Sequence, residues 1–258
     1  LFDLGHVSTP EPFVKLRHQG TILGEDSRKM SKSRGNVVNP DDVVKAYGAD
    51  AVRLFEMFMG PLEETKPWST RGVEGVYRSL NRSWRMIIDA NGSLLPTVMD
   101  APLTPDHERL LHQTIKKVTE DLTTLDFNTA ISQMMIFVNE FLNLEVKPRK
   151  AIEAFVLLLS PFAPHICEEL WSKLGHKDSL AYEPWPQFDE AKTRTETIEM
   201  VIQINGKVRS KFSVAVNVDE SLLRTLVMND ENVKKYIDGR HIEKIVVVKN
   251  KLVSVVVK

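Results

Sequence analysis

Apolar residues recur every three or four positions through the middle of the chain, and this spacing restricts residues 69–175 to packed helices. The first series follows the helix-cap candidate Ser69 and comprises Val73, Val76, Leu80, Trp84 and Ile87. Further helices are predicted from Pro105, near Asn128, from Pro148 and over residues 162–174. One apolar stripe per helix, with short connections, predicts an antiparallel helical bundle.

The pattern changes after a proline-containing linker at residues 176–197. Residues 198–258 contain two pairs of predicted strands, joined by Asn205-Gly206 and by residues 249–251. Asn-Gly between apolar runs is the strongest short-range signal for a two-residue hairpin turn. Two short helices are predicted between the hairpins, so this region is expected to be a small α+β domain.

Residues 1–68 predict mixed structure around a polar loop. A short strand at 21–23 precedes this loop, and Asn39 followed by Pro40 predicts the start of a helix. Asp50 is a candidate cap for the next helix. The fold is therefore expected to be mainly α, with a loop subdomain, a helical bundle and a small C-terminal α+β domain.

Composition excludes several classes of protein. The 258 residues carry a formal net charge of −1, without the basic excess typical of nucleic-acid binders. No apolar run approaches the roughly 20 residues that span a bilayer, so no membrane association is expected. The single cysteine, Cys167, rules out an internal disulfide and favours a reducing compartment. No cysteine or histidine pair has ligand spacing, so no metal site is expected.

The strongest chemical signal is a loop that comprises Lys29, Met30, Ser31, Lys32 and Ser33. Two ammonium groups three residues apart, with small hydroxyl side chains and a glycine hinge at Gly35, could close over a polyphosphate. Lysines stabilise charge that builds on phosphates during an in-line displacement, and hydroxyl and N–H groups can hold phosphate oxygens. On composition alone, a plain solvated basic loop is an equal alternative.

This loop resembles the KMSKS signature loop of the class I aminoacyl-tRNA synthetases, and its surroundings resemble their leucine-specific branch. Similar strings include Tyr47-Gly48-Ala49-Asp50, Gly72-Val73-Glu74-Gly75 and Asp126-Phe127-Asn128-Thr129-Ala130. Ser160-Pro161-Phe162-Ala163-Pro164-His165 resembles part of the anticodon-binding bundle of this class, and Gln203-Ile204-Asn205-Gly206-Lys207 the start of its C-terminal domain. The resemblance covers essentially the whole chain.

The resemblance implies a ligase that activates leucine with ATP and transfers it to tRNA(Leu), with Mg²⁺ expected in the full enzyme. Lys29 and Lys32 would stabilise the triphosphate and the departing pyrophosphate, and residues 29–33 would form the ATP loop. The His-x-Gly-His signature of the class is absent from this sequence, and the leucine pocket lies upstream in the family. We therefore expect Leu1 to lie inside a larger fold. The segment alone is expected to be inactive, monomeric and without a bound cofactor, and a cytoplasmic location is expected, with chloroplast or mitochondrion as alternatives.

Two basic surfaces are candidate tRNA contacts. The first is a row of helical positions that share one face opposite an apolar stripe: Arg71, Arg78, Arg82 and Arg85. The second is a set of alternate strand positions that are predicted to share one face: Lys207, Arg209 and Lys211. The alternatives are a solvated helix face and a strand face whose charges discourage pairing with another edge.

Two other functions stay open on the sequence. A class I synthetase specific for valine or isoleucine is the nearest variant. A non-catalytic RNA-binding module that kept the helical bundle would lack a nucleotide-binding domain with the His-x-Gly-His signature. The presence of that domain upstream of Leu1 would separate an enzyme from the binding module.

Overall fold

The computed structural model describes residues 1–194 and 197–258, which form two compact units. The first unit comprises Leu1–Thr193 and the second comprises Arg194–Lys258. Residues 195 and 196, near the end of the predicted linker, lie outside the described residues. The loop subdomain and the helical bundle, which the sequence separates at residue 68, belong to the same first unit.

Regular structure in the first unit begins around the polar loop. Strand β1, Ile22–Leu23, pairs in parallel with β2, Lys66–Pro67. Two helices lie between these strands in the chain, α1 at Pro40–Tyr47 and α2 at Ala49–Phe58. The Asn39 side chain accepts a hydrogen bond from the N–H of Asp41, so the predicted cap of α1 is confirmed.

Five further helices confirm the helices that the apolar spacing predicts. They are α3 (Thr70–Ile87), α4 (Pro105–Thr124), α5 (Phe127–Phe141), α6 (Arg149–Leu159) and α7 (Pro164–Lys173). Ser69 caps α3 as predicted, because its hydroxyl accepts a hydrogen bond from the N–H of Gly72 at 3.1 Å. Two short strands, β3 (Val98–Met99) and β4 (Lys147–Pro148), pair in parallel between the helices. Within the described residues, no helix has both the length and the apolar character needed to cross a membrane.

One continuous apolar core joins α2 to the helical bundle. Leu54 and Phe55 of α2 are buried in the same cluster as Phe137 of α5 and Phe155 of α6. The rings of Phe137 and Phe155 stack with their centroids 5.1 Å apart. Burial of apolar surface is the main favourable contribution to folding, so the bundle holds α2 and the elements attached to it.

Asp50 does not cap α2, contrary to the prediction. Its carboxylate instead accepts hydrogen bonds from the first backbone N–H groups of α7. Helix α2 already begins at Ala49, so Asp50 lies inside it. Its carboxylate accepts hydrogen bonds from the backbone N–H groups of His165 and Ile166, at 3.3 and 2.7 Å, and its Oδ1 lies 2.8 Å from the His165 ring Nδ1. The first N–H groups of any helix lack partners within that helix, so a nearly buried carboxylate from α2 takes that role for α7.

Residues 185–193 of the predicted linker pack against α4 instead of standing apart from the bundle. The indole N–H of Trp185 donates to the hydroxyl of Thr119 at 2.8 Å. Lys116 pairs with Glu190 at 2.8 Å, and the Gln113 amide donates to the carbonyl of Thr193 at the same distance. The sequence suggests a linker because prolines and polar residues interrupt the helical spacing, and spacing carries no information about these long-range contacts.

The second unit is a four-stranded sheet with two helices packed on its apolar face. Its elements are β5 (Thr197–Ile204), β6 (Lys207–Ala215), α8 (Glu220–Asn229), α9 (Glu231–Ile237), β7 (Ile242–Val248) and β8 (Leu252–Val257). The strand order is β6-β5-β8-β7, so the two predicted hairpins meet through a parallel β5–β8 pair. Asn205 and Gly206 have φ angles of 47° and 77°, as the predicted two-residue turn requires.

A β-bulge in β6 breaks the predicted face shared by Lys207, Arg209 and Lys211. The pairing with β5 shifts between Ile202 and Gln203, which leaves Arg209 as an extra residue in β6. Residues directly opposite in an antiparallel pair lie on the same face of a sheet. Lys211 lies opposite Val201, whereas Lys207 lies opposite the buried Ile204, so the two lysines leave opposite faces.

Replacement of Asp50 tests its role at the start of α7. We expect Asp50→Ala to lower the free energy of unfolding of the first unit by about 2–3 kcal/mol, because a helix cap is removed and buried N–H groups lose their acceptor. Urea unfolding followed by helical circular dichroism measures this change. The exposed Asp100→Ala is the matched control and should be nearly neutral, and equal effects of both variants would contradict the assignment.

Candidate functional site

The predicted ATP loop is built as a tight turn followed by one turn of 3-10 helix. Leu23 and Lys29 form an antiparallel bridge, and the N–H of Gly24 donates to the carbonyl of Arg28 at 2.8 Å. Residues Lys32–Arg34 then form the 3-10 turn, which ends at Gly35 with a φ of 68°. Glycine adopts this left-handed backbone with the least steric cost, so Gly35 allows the chain to reverse there.

Within the loop, the cationic and apolar side chains are separated. Lys29 and Lys32 are exposed, whereas Met30 is partly buried and packs against the core of the first unit. Met30 also lines a cavity of about 140 Å³ together with Ile22 and Trp68. The hydroxyl oxygens of Ser31 and Ser33 lie 2.8 Å apart. The loop therefore presents two ammonium groups to solvent while its methionine anchors it from beneath.

The side chain of Asn36 fixes the backbone on both sides of Met30. Its Oδ1 accepts a hydrogen bond from the N–H of Ser31 at 2.8 Å, and its Nδ2 lies 3.4 Å from the carbonyl oxygen of Lys29. The same Nδ2 donates to the carboxylate of Asp26, at 3.1 and 3.2 Å from its two oxygens. Hydrogen bonds from Asn36 and from the N–H of Arg28 hold the pKa of Asp26 below its usual value.

Glu25 connects this loop to the first turn of α3. Its Oε1 accepts hydrogen bonds from the backbone N–H of Thr70 at 3.0 Å and from the Thr70 hydroxyl at 2.7 Å. These two bonds lower the pKa of Glu25 below its usual value. Helix α3 also carries the predicted arginine row, so these bonds join the turn that precedes the predicted ATP loop to the first turn of that helix.

The predicted arginine row lies on the solvent side of α3. Arg71, Arg78 and Arg85 are exposed and Arg82 is partly exposed, whereas Val73, Val76 and Leu80 on the other side of the helix are buried. Arg78 is 4.0 Å from Glu74, and the Arg85 Nε donates to the carbonyl of Asn81. The four arginines therefore lie along one solvent-facing side of α3, with Glu74 beside Arg78, and their spacing along the helix is suitable for contacts to phosphate oxygens.

The basic residues of β6 are not assembled into one site. The Arg209 guanidinium carbon lies 4.2 Å from the centre of the Tyr236 ring on α9, and its Nη1 donates to the Tyr236 hydroxyl at 3.3 Å. This cation–π contact gives Arg209 a structural role within the second unit. Lys211 pairs with Glu199 at 2.8 Å, and Lys207 is exposed.

Sequence reasoning found the loop lysines but missed the residues that hold them. Asp26 accepts a hydrogen bond from the N–H two residues later, a local turn that a sequence pattern can indicate. The bond between Asn36 and Asp26 spans ten residues, and nothing in the local pattern predicts it. Among the described residues, no group of three or more His, Cys, Asp and Glu side chains is arranged to hold a metal ion. Burial raises the pKa of the Cys167 thiol well above its usual value, as in an inert core cysteine.

Two family models match separate parts of the chain. The model described as tRNA synthetases class I (I, L, M and V) matches residues 5–66, which contain the whole loop. The model described as the anticodon-binding domain of tRNA ligase matches residues 108–224. The arginine row on α3 lies between these two matches.

Similar proteins extend the match to the whole chain. The leucine–tRNA ligases of two Leptospira biflexa serovar Patoc strains, Patoc 1 / Ames and Patoc 1 / Paris, are each 55% identical over 257 residues, which is 100% of this chain and 30% of the relative. Among solved structures, the ternary complex of Agrobacterium radiobacter K84 agnB2 LeuRS with tRNA and LeuAMS matches with a TM-score of 0.66 and 32% identity, over 99% of this chain and 34% of that chain. Along its whole length the chain is therefore similar to leucine–tRNA ligases, and it spans about 30% of the length of these relatives.

Proposed function

We propose that this chain is the part of a leucine–tRNA ligase that contacts the ATP phosphates and carries tRNA-facing surfaces. In the complete enzyme, a carboxylate oxygen of leucine attacks the α-phosphorus of ATP, and the bond to the bridging oxygen breaks to release pyrophosphate. A terminal ribose hydroxyl of tRNA(Leu) then attacks the leucyl carbonyl carbon, and AMP leaves. The chain supplies side chains for the first step and binding surface for the second.

The single observation that carries this proposal is the placement of Lys29 and Lys32. Both ammonium groups extend into solvent from a loop whose backbone is fixed by Asn36 and whose Met30 is anchored in the core. A fixed cation next to a leaving pyrophosphate stabilises the charge that develops as the bond breaks, without further reorganisation. Of the two lysines, we assign the more direct phosphate contact to Lys32, with Ser31 and Ser33 shaping the loop.

Mg²⁺ enters this proposal as an ion that accompanies the ATP phosphates. The described residues offer no group of three or more His, Cys, Asp and Glu side chains that could hold it. Mg²⁺ commonly keeps several waters and binds through substrate phosphates and only one or two carboxylates, which agrees with this donor set. The ion would neutralise phosphate charge, while the lysines of this chain add cationic groups at fixed positions.

The tRNA surface is proposed on α3. Four arginines along one helix face match a polyanion better than a neutral ligand, because each phosphate that they neutralise releases condensed counterions. The similar LeuRS from Agrobacterium radiobacter K84 is described in complex with tRNA, which supports a tRNA partner for this chain. In the second unit, Lys207 and Lys211 stay candidate contacts, but on opposite faces of the sheet, and Arg209 is engaged with Tyr236.

Removal of one loop lysine tests the ATP role. In the complete ligase, we expect Lys32→Ala to lower the rate of leucine-dependent pyrophosphate exchange by about 10²–10³-fold, as loss of one group that stabilises developing charge does in other enzymes. The dissociation constant for tRNA should change by less than about twofold. Lys45→Ala, which removes an exposed lysine from α1, is the control. Exchange that is unchanged by Lys32→Ala would contradict the proposal.

Charge removal on α3 tests the tRNA surface. Replacing Arg78 and Arg82 with glutamine should reduce the slope of log affinity for tRNA against log salt concentration by about 0.7–0.9 for each phosphate that the variant no longer neutralises. Arg109→Gln on α4 is the control, because this arginine already pairs with Asp106 at 2.7 Å. If the salt dependence of tRNA affinity is the same in all variants and in the unaltered protein, α3 is not part of the tRNA interface.

A further inference from the structure

The loop lysines are held by a polar group that the proposed reaction does not itself use. Asn36 lies after the ATP loop, and its single amide bonds to the backbone of Lys29, to the backbone of Ser31 and to the side chain of Asp26. These bonds hold the backbone from Lys29 to Ser31 next to the turn that contains Asp26. We refer to Asn36 and Asp26 together as the amide–carboxylate clamp.

The clamp leaves no space for a side chain at the neighbouring residue Gly24. Gly24 is buried beside it, and a Cβ atom at Gly24 would lie 2.8 Å from Oδ1 of Asp26 and 2.9 Å from Nδ2 of Asn36. Both distances are shorter than a carbon atom tolerates, so any other residue at Gly24 would displace the clamp. Glycine at this position is therefore explained by the clamp and not by the φ angle of the residue.

The hydrogen-bonding pattern requires an amide at residue 36. The Oδ1 atom must accept from the N–H of Ser31, while the other atom must donate to Asp26 and to the carbonyl of Lys29. An ionised aspartate offers acceptors only, so it would lose both donated bonds and would face the carboxylate of Asp26. Asparagine is the side chain of this length that supplies both a donor and an acceptor.

The clamp also limits what Asp26 can do to the lysines. Its carboxylate already accepts bonds from Asn36 and from the N–H of Arg28, so these donors satisfy much of its hydrogen-bonding capacity. A carboxylate satisfied in this way competes less strongly for a nearby ammonium group than an unsatisfied one. Lys29 and Lys32 are exposed to solvent and form no ion pair with Asp26, so a phosphate can approach them.

We propose that Asn36 and Asp26 are positioning residues for leucine activation: they hold the backbone of Lys29–Ser31 so that both lysines meet the ATP phosphates together. This inference rests on the ATP role proposed above for the lysines. The clamp touches neither the substrate nor the reacting atoms. It acts by fixing the starting positions of two long side chains, and an error of about 1 Å in such positions can cost 10²-fold in rate.

The test compares kcat and the KM for ATP in leucine-dependent pyrophosphate exchange by the complete ligase. We expect Asn36→Asp to lower kcat by about 10–100-fold, because the clamp opens and two carboxylates face each other. The double variant Asp26→Asn with Asn36→Asp exchanges donor and acceptor across the same contact. Its kcat should be at least about fivefold higher than the kcat of Asn36→Asp alone. Affinity for tRNA should stay within about twofold in both variants.

Asn39→Asp is the matched control for charge. It adds the same charge three residues further along, at the cap of α1, where aspartate is as good a cap as asparagine. It should leave exchange within about twofold of the unaltered enzyme. If Asn36→Asp behaves like Asn39→Asp, or if the exchanged pair is no more active than Asn36→Asp alone, the positioning role is wrong.

Two further outcomes separate this inference from its alternatives. A fall in tRNA affinity as large as the fall in kcat would mean that Asn36→Asp unfolds the first unit, and this would overturn a role specific to the loop. Lys32→Ala is measured beside these variants as the test of the ATP role itself. Normal exchange by Lys32→Ala would refute the proposed function, whereas impaired Lys32→Ala with normal Asn36→Asp would refute the clamp alone.

Discussion

The packing of α2 into the helical bundle is the interaction on which the first unit depends. Its apolar side places Leu54 and Phe55 in the core shared with α5 and α6. Its polar side also reaches the bundle: Asp50 satisfies the start of α7, and the Arg53 guanidinium donates to the carbonyls of Pro161 and Phe162. Apolar burial provides the stability, and the buried carboxylate fixes one arrangement of the helices. The loop and α1, which precede α2 in the chain, are positioned by this packing.

The loop at residues 29–33, for which we propose the ATP role, combines this support with exposed cationic groups. Met30 and the clamp at Asn36 hold the backbone, while Lys29 and Lys32 extend away from the core. Glu25 joins the same loop to Thr70 at the start of α3, where the arginine row begins. Two surfaces that would meet different ligands, a nucleotide and an RNA, are thus built on neighbouring residues of one core. Because the two surfaces are neighbours on one core, folding of the first unit positions both of them.

Local rules predicted the helices and turns of this chain because local physics determines them. Helical spacing identified α3 to α7, the caps at Asn39 and Ser69 were confirmed, and Asn205-Gly206 forms the expected turn. The loop lysines were also found, because their chemistry is carried by neighbouring residues in the chain. These features need no knowledge of the tertiary structure.

The errors share one cause, which is that long-range contacts overrule local patterns. Asp50 is a residue type that often caps helices, but its carboxylate accepts hydrogen bonds from the start of a helix more than a hundred residues away in the chain. Residues 185–193 of the predicted linker are held by side chains of α4. In β6, the irregular pairing with β5 leaves Arg209 as an extra residue and so breaks the alternation of faces. The clamp at Asn36 was missed for the same reason, since its partner Asp26 is close only after the loop has formed.

The central claim is that Lys29 and Lys32 meet the ATP phosphates from a loop fixed by the core. The most direct test is a crystal structure of the complete leucine–tRNA ligase with a non-hydrolysable ATP analogue. We expect the Nζ atom of at least Lys32 to lie within about 2.7–3.2 Å of a phosphate oxygen, with the Asn36 contacts to Ser31 and Asp26 intact. Both lysines in solvent, and the loop remote from the triphosphate, would contradict it.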